Sequence, residues 1–364
     1  MKILFFQDYL RQGGTETQTL FLARGFRDVG AQVKIVTFRP GGALAPQLES
    51  SGLEHQTLQP FDTGINGFAP GWQRAVRQFD PDIVVLMGRM ANALGWRIKK
   101  LSTKASVVAT ARTGKSFSKA YRKTFAAASA IVANSCWAAD RVALAGGEPA
   151  HTHVIHNGFA RDWNDPEAIH ERIATRLDAG VGDGACVFLS VAAFRPGKGQ
   201  ETLIRLFGGL RSERPWQLWM VGDGVRRAAC EALVRKLGMQ GRVRFWGSQP
   251  KPRPYYAGAD CAVHASRTES LPNFLVEAQT ASLPVIAMRA GGVNETFQPG
   301  ESGFLHDQGD FAGFVDSLKL LLEDAELRHR MGEAGAVFAR SAFNPKASVE
   351  AYLELFRKLR LEGR

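Results

Sequence analysis

Ala265-Ser266-Arg267-Thr268-Glu269-Ser270-Leu271-Pro272-Asn273-Phe274-Leu275-Val276-Glu277-Ala278 lies between two short apolar runs, Cys261 to His264 and Pro284 to Met288. Apolar runs of that length on either side of a helical stretch read as strand, loop, helix and strand, with the helix crossing between two parallel strands. Pro272 suits the first turn of a helix, where a missing N–H costs nothing. Glu269 therefore falls in the loop before the helix and Glu277 one to two turns inside it, so the two carboxylates address different parts of one ligand. A carboxylate only accepts hydrogen bonds and a vicinal diol offers two O–H donors, so one glutamate suits a ribose and the other a hexose hydroxyl. The helix start at Leu271, Pro272 and Asn273 is left for a phosphate. Two glutamates eight apart are common on solvated helix faces, and it is the surrounding sequence that gives this pair weight.

Strand and helix alternate along the whole chain, which predicts an α/β protein with parallel sheets covered by helices on both faces. Lys2 to Phe6, Gln32 to Thr37, Ile83 to Met87, Ser106 to Thr110, Ile131 to Ala133 and His153 to Ile155 read as buried strands of a first domain. A second set is Ala185 to Ala192, Gln217 to Val221, Val243 to Trp246, Cys261 to His264, Pro284 to Met288 and Gly303 to Leu305. Between them Phe159 to Gly184 is polar and carries no clear strand. A chain of 364 residues exceeds the usual span of one core. The expected division is 1–165, 175–340 and a final segment 341–364, helical over Lys346 to Leu361.

The quoted stretch, with Ser282-Leu283-Pro284-Val285-Ile286-Ala287 and Gly291-Gly292-Val293-Asn294-Glu295, resembles the nucleotide-sugar domain of the retaining GT-B glycosyltransferases of family 4. Gly13-Gly14-Thr15-Glu16, Ile155-His156-Asn157-Gly158, Pro196-Gly197-Lys198-Gly199, Gly222-Asp223-Gly224 and Arg242-Val243-Arg244-Phe245-Trp246-Gly247 follow in that family's order over nearly the whole chain. The resemblance implies GT-B architecture: two Rossmann-like domains whose parallel sheets face a central cleft, the last helix returning to the first domain. It implies a nucleoside-diphosphate sugar as donor, with uridine as the default base, and transfer without a metal or other cofactor. The acceptor would be held mostly by the first domain and the donor mostly by the second, with domain closure excluding water.

In open α/β sheets ligands bind beyond the carboxyl ends of the strands, so the loops there supply the remaining candidates. Gly13-Gly14 follows the first strand and opens a helix in which Thr15 and Gln18 have capping-box spacing; glycine lets backbone approach a donor diphosphate. Lys198 and Arg195 follow the strand at Ala185 to Ala192. Departure of a nucleoside diphosphate needs its negative charge dispersed, and two fixed cations can do this in place of a metal. Many family members carry an arginine five residues before the lysine; Ala193 stands there and Arg195 is offered instead. Relatives also carry a histidine after the strand read as Ser106 to Thr110. Here the sequence is Thr110-Ala111-Arg112-Thr113, which makes Arg112 the candidate for contact with acceptor or transferred sugar. Asp80-Pro81-Asp82 precedes a strand rather than following one, and His151, His153 and His156 have no cysteine or acid beside them, so neither group reads as a metal site.

Cys136, Cys186, Cys230 and Cys261 are scattered among apolar neighbours and read as buried, reduced thiols. No apolar run reaches the ~18 residues that span a bilayer, and the first residues turn polar too soon for a signal peptide, which predicts a cytoplasmic protein. The net charge of +11 is concentrated. From Ile83 to Ala139 there is no Asp or Glu, against Arg89, Arg97, Lys99, Lys100, Lys104, Arg112, Lys115, Lys119, Arg122 and Lys123. Trp96, Phe117 and Tyr121 are interleaved with them. Such a field suits the inner face of an anionic membrane carrying a glycan or lipid-linked acceptor. Nucleic acid would accept the same charge, but no RNA-binding module accompanies it. Three activities fit these observations: a retaining glycosyltransferase of cell-surface polysaccharide or lipopolysaccharide synthesis, a GT-B sugar-nucleotide epimerase, and a GT-B protein that binds nucleotide without catalysis.

Overall fold

The computed structural model describes the whole chain apart from residues 66, 103, 160–165, 183, 363 and 364. It divides into two compact units: Met1–Gly158 with Asn344–Arg364, and Phe159–Phe343. The first unit is built on β1 (Lys2–Gln7), β2 (Gln32–Thr37), β3 (Glu54–Thr57), β4 (Ile83–Met87), β5 (Ser106–Ala111), β6 (Ala130–Ala133) and β7 (Thr152–Val154). Its helices are α1 (Gly14–Asp28), α2 (Ala45–Glu49), α3 (Trp72–Phe79), α4 (Arg89–Leu101), α5 (Lys119–Ala127) and α6 (Cys136–Leu144). The second unit holds α7 (Pro166–Asp178), β8 (Cys186–Val191), α8 (Gln200–Gly209), β9 (Trp216–Val221), α9 (Arg227–Lys236), β10 (Val243–Gly247), α10 (Arg253–Gly258) and β11 (Cys261–His264). It continues through α11 (Asn273–Thr280), β12 (Val285–Met288), β13 (Gly303–His306), α12 (Phe311–Glu323) and α13 (Ala325–Ala342), and the chain ends in α14 (Pro345–Glu362).

Both sheets are parallel, which is why their strands are near-continuous apolar runs: helices cover both faces and no face is left to water. The first has the order β3-β2-β1-β4-β5-β6-β7 and the second β10-β9-β8-β11-β12-β13. The order reverses between β1 and β4 in one and between β8 and β11 in the other, and these are the points where a doubly wound sheet opens a crevice. Tyr352, Leu353, Phe356 and Leu359 of α14 lie in the same buried cluster as Phe5, Phe26 and Ile35, so the last helix is part of the first unit's core.

Several local expectations are corrected. Glu54–Thr57 is a strand that its polar sequence conceals, because it lies at the sheet edge and is largely exposed. The polar stretch after Phe159 contains α7, anchored by Asp260: its carboxylate accepts from Arg172 (2.6 Å), Arg176 (2.9 Å) and the Val187 N–H (2.8 Å). Thr15 and Gln18 form no capping box. The N-cap is Gly13, with no side chain to offer, and Gln18 donates instead to the Gly158 carbonyl at 3.0 Å. Cys136 is exposed at the start of α6, whereas the other three thiols are buried. Phe117 and Tyr121 are core residues packed edge-on at 5.0 Å, so neither is available to a membrane surface.

Candidate active site

β8 and β11 are neighbours whose following helices lead to opposite halves of the sheet, so the loops after them diverge over the reversal point. Hydrogen bonds hold the two loops together at their bases. The Arg267 N–H donates to the Gly197 carbonyl (2.8 Å) and the Ser266 hydroxyl to the Lys198 carbonyl (3.3 Å). Gly199 allows this approach: it has a φ of +74°, and a Cβ there would lie 2.0 Å from the Ala265 carbonyl oxygen.

Lys198 and Glu269 are thereby brought face to face. Nζ donates to Oε1 at 2.6 Å, with both side chains largely removed from water. His264, at the end of β11, places Nε2 3.3 Å from the same oxygen. Burial by itself pushes the Glu269 carboxyl upward; His264 and Lys198 outweigh it and hold the group well below the usual carboxylate range. A buried ion pair that loses one partner leaves an uncompensated charge, so this pair separates only when something else takes each half.

Glu277 stands one turn inside α11, and Tyr256 of α10 donates its hydroxyl to Oε2 at 2.5 Å, which fixes the carboxylate's direction. Pro272 is the N-cap of α11 rather than its first helical residue, and Asn273 begins the helix. Leu271 is buried against Val276, Ala339 and Phe343, so its side chain is committed to the core. Arg195 is exposed and forms no ion pair among the described residues, while its backbone carbonyl accepts from the Lys198 N–H at 3.2 Å. Lys198 and Glu269 are thus brought together, Arg195 lies on the loop that carries Lys198, and Glu277 stands in the helix that follows the Glu269 loop, held by Tyr256.

The remaining candidates belong to the first unit. Gly13 and Gly14 open α1, and the buried Glu16 carboxylate fills the space beside Gly13, lying 2.5 Å from where a Cβ would stand. Arg112 follows β5, and its guanidinium donates to Asn157 Oδ1 and, at 3.4 Å, to Tyr352 Oη. It is thus tied to neutral groups, and burial lowers its pKa. Asp80 is paired with Lys104 and Asp82 accepts from the Lys2 N–H, as turn carboxylates do. Among the described residues no group of three or more His, Cys, Asp and Glu is placed to hold a metal ion.

Two family models divide the chain between them. Residues 12–163 match Glycosyltransferase Family 4 and residues 171–338 match Glycosyl transferases group 1. The lipopolysaccharide core biosynthesis glycosyltransferase LpsD of Rhizobium meliloti is 26% identical over 352 residues, 95% of each chain. LpsE of the same organism, a lipopolysaccharide core biosynthesis glycosyltransferase, is 35% identical over 171 residues, 47% of this chain and 49% of its own length. In fold, the chain is similar to Anabaena HepE in complex with UDP-glucose, with a TM-score of 0.86 at 24% identity, over 98% of this chain and all of that one. The chain belongs to the GT-B glycosyltransferases of group 1.

Sequence reasoning missed two residues that touch the candidate glutamates. Tyr256 stands in Pro252-Arg253-Pro254-Tyr255-Tyr256, where nothing distinguishes it from a packing tyrosine. His264 ends an apolar strand; a histidine in a fully buried run was the available signal, but its contact with Glu269 depends on how the next loop folds back.

The titration of Glu269 gives a test. Because its folded-state carboxyl titrates below the ordinary value of 4.5, ionisation stabilises the second unit at neutral pH, and that contribution is lost as pH falls from 4.5 through the folded value. Glu269→Gln should lower stability at pH 7 and flatten the decline of stability below pH 4.5, measured by denaturant unfolding across pH. An acid decline as steep as in the wild type would remove the buried pair from the account.

Proposed function

We propose that this enzyme is a retaining, metal-independent glycosyltransferase. It takes a sugar from a nucleoside-diphosphate donor, with uridine as the base, and passes it to a glycan or lipid-linked acceptor in the synthesis of lipopolysaccharide or another cell-surface polysaccharide. The single observation that carries this reading is the buried Lys198–Glu269 pair at the reversal point of the second sheet. Support also comes from the relatives, two of which are lipopolysaccharide core enzymes, and from a structural neighbour holding UDP-glucose.

In this reading the donor exchanges partners with the pair. Its diphosphate draws Lys198 away from Glu269, and sugar hydroxyls then donate to the freed carboxylate, so neither buried charge is left alone. Glu277, aimed by Tyr256, accepts from the ribose diol. Lys198 and the exposed Arg195 disperse the charge growing on the leaving diphosphate, aided by the start of α11 at Leu271, Pro272 and Asn273. Gly13 and Gly14 supply close backbone approach from the first unit, and Arg112 contacts acceptor or transferred sugar. The acceptor attacks from the face the diphosphate is leaving, and the departing phosphate oxygen takes the acceptor's proton.

The first unit would work at an anionic membrane surface on the cytoplasmic side. It contains 24 Lys and Arg against 13 Asp and Glu, whereas the second contains 22 of each, so the entire net charge of +11 belongs to the unit assigned to the acceptor. Within it, Arg97, Lys100 and Lys123 surround the ring of Trp96 at 5.1 to 5.3 Å. No helix among the described residues is long and apolar enough to cross a membrane.

The direct test is release of nucleoside diphosphate from a panel of nucleotide sugars. Release should require an acceptor, and NMR of the product should show the donor's anomeric configuration kept; inversion would overturn the retaining mechanism. Lys198→Ala should lower kcat by a factor on the order of 100, and EDTA should leave the wild type active. Full inhibition by EDTA would overturn metal independence.

Affinity separates the two glutamates. Glu277→Ala should weaken UDP binding by about 1 to 3 kcal/mol in calorimetry, with Tyr256→Phe weakening it less, because the latter loses only the orienting bond. Unchanged UDP affinity in Glu277→Ala would remove its ribose role.

A further inference from the structure

The connection from β3 to α3 is unlike the other loops of the first unit. Within eight residues it exposes three large apolar side chains: Phe61, Ile65 and Phe68 are 68%, 60% and 44% accessible. Scattered apolar residues on a surface are ordinary, but a cluster on one loop marks an interaction site. This loop is also built to keep them outward. Gln59, only 1% accessible, occupies its interior. Its Nε2 donates to the carbonyls of Ile65 (3.2 Å) and Phe68 (2.6 Å), and its Oε1 accepts from the Thr63 N–H (3.3 Å) and hydroxyl (2.9 Å). The one charge on the loop, Asp62, is neutralised by Arg39 through two bonds of 2.7 Å. The interior is filled by an amide and the acid is paired, so the carbonyls of Ile65 and Phe68 and the Thr63 N–H find their partners inside while the apolar side chains face outward.

The loop also has a fixed place relative to the cations. Leu58 and Ala69, at its two ends, and Trp72, which opens α3, pack in the same cluster as Ala91, Leu94 and Ile98 of α4. The loop thus sits on the sheet face covered by α3 and α4, whose outer sides expose Arg74, Arg77, Arg97 and Lys100. Lys119, Arg122 and Lys123 are exposed on α5, which packs beside α4. An apolar loop whose single acid is paired, beside a strongly basic face, is the two-signal arrangement that holds a protein at an anionic bilayer, since either signal alone binds weakly.

We propose that Phe61, Ile65 and Phe68 insert into the bilayer interface while the cations of α3, α4 and α5 meet its anionic headgroups. This rests on the reading above that the first unit works at a membrane, and adds the element that enters the lipid. Headgroup attraction falls with salt, but insertion of apolar side chains does not.

Sedimentation with vesicles of mixed phosphatidylcholine and phosphatidylglycerol, over a range of salt, tests it. Phe61→Ser/Ile65→Ser/Phe68→Ser should weaken binding by about 10- to 100-fold with the slope against log salt unchanged. Lys119→Glu/Arg122→Glu/Lys123→Glu should instead flatten that slope. A second measurement does not depend on the triple variant folding: Ile65→Cys, in a Cys136→Ser background, carries an environment-sensitive dye on the loop. The three remaining thiols are buried. Its emission should shift to the blue on anionic vesicles and be quenched by lipids brominated in the acyl chain. Vesicle binding with the dye still in water and the serine variant unimpaired would overturn insertion while leaving the electrostatic reading intact. Failure of the wild type to bind at low salt would overturn both. A blue shift without vesicles that grows with protein concentration would assign the loop to a second copy of the chain and overturn the proposal.

Discussion

Lys198 and Glu269 come from loops that are 71 residues apart in sequence and meet at 2.6 Å in a setting that excludes most water. Desolvating two such charges costs several kcal/mol each, and the attraction between them recovers that only when geometry is good and other groups help. The local structure supplies both conditions. Gly199 removes the one Cβ that would hold the loops apart, the Arg267 and Ser266 bonds fix their bases, and His264 adds a favourable field on the carboxylate. A stored ion pair of this kind keeps the lysine from collapsing onto the surface and the glutamate from protonating.

The two units carry different electrostatic characters. The second is neutral overall, and its site rests on a few fixed charges whose sign and direction are set individually. The first carries the whole excess of positive charge, around a sheet whose own reversal point is occupied by protein. Asp8, just after β1, accepts from the N–H groups of Arg89, Met90 and Ala91 at 2.8 to 3.1 Å and so caps α4 with a carboxylate. The anion-binding end of that helix is therefore already used by the protein's own carboxylate.

Much of this was legible in the sequence because parallel sheets announce themselves: strands buried on both faces are apolar throughout, and Cys261 to His264 was placed to the residue. Glu54–Thr57 was not legible, since an edge strand has half its backbone and most of its side chains in water. Lys198, Glu269 and Glu277 could be named from their motifs, while Tyr256 and His264 could not, because their roles exist only as distances across the fold. The capping box at Thr15 and Gln18 failed for a related reason: spacing was right, but a buried carbonyl at Gly158 offered Gln18 a better partner. Phe117 and Tyr121 were misread because aromatic residues between cations look the same whether they face lipid or core.

In the proposed mechanism Lys198 leaves Glu269 for the donor's diphosphate, and a crystal structure of the enzyme with UDP tests that most directly. Nζ of Lys198 should lie within hydrogen-bond distance of a phosphate oxygen and beyond it from Glu269, with the ribose hydroxyls on Glu277. A diphosphate bound elsewhere, with the 2.6 Å pair intact, would contradict it.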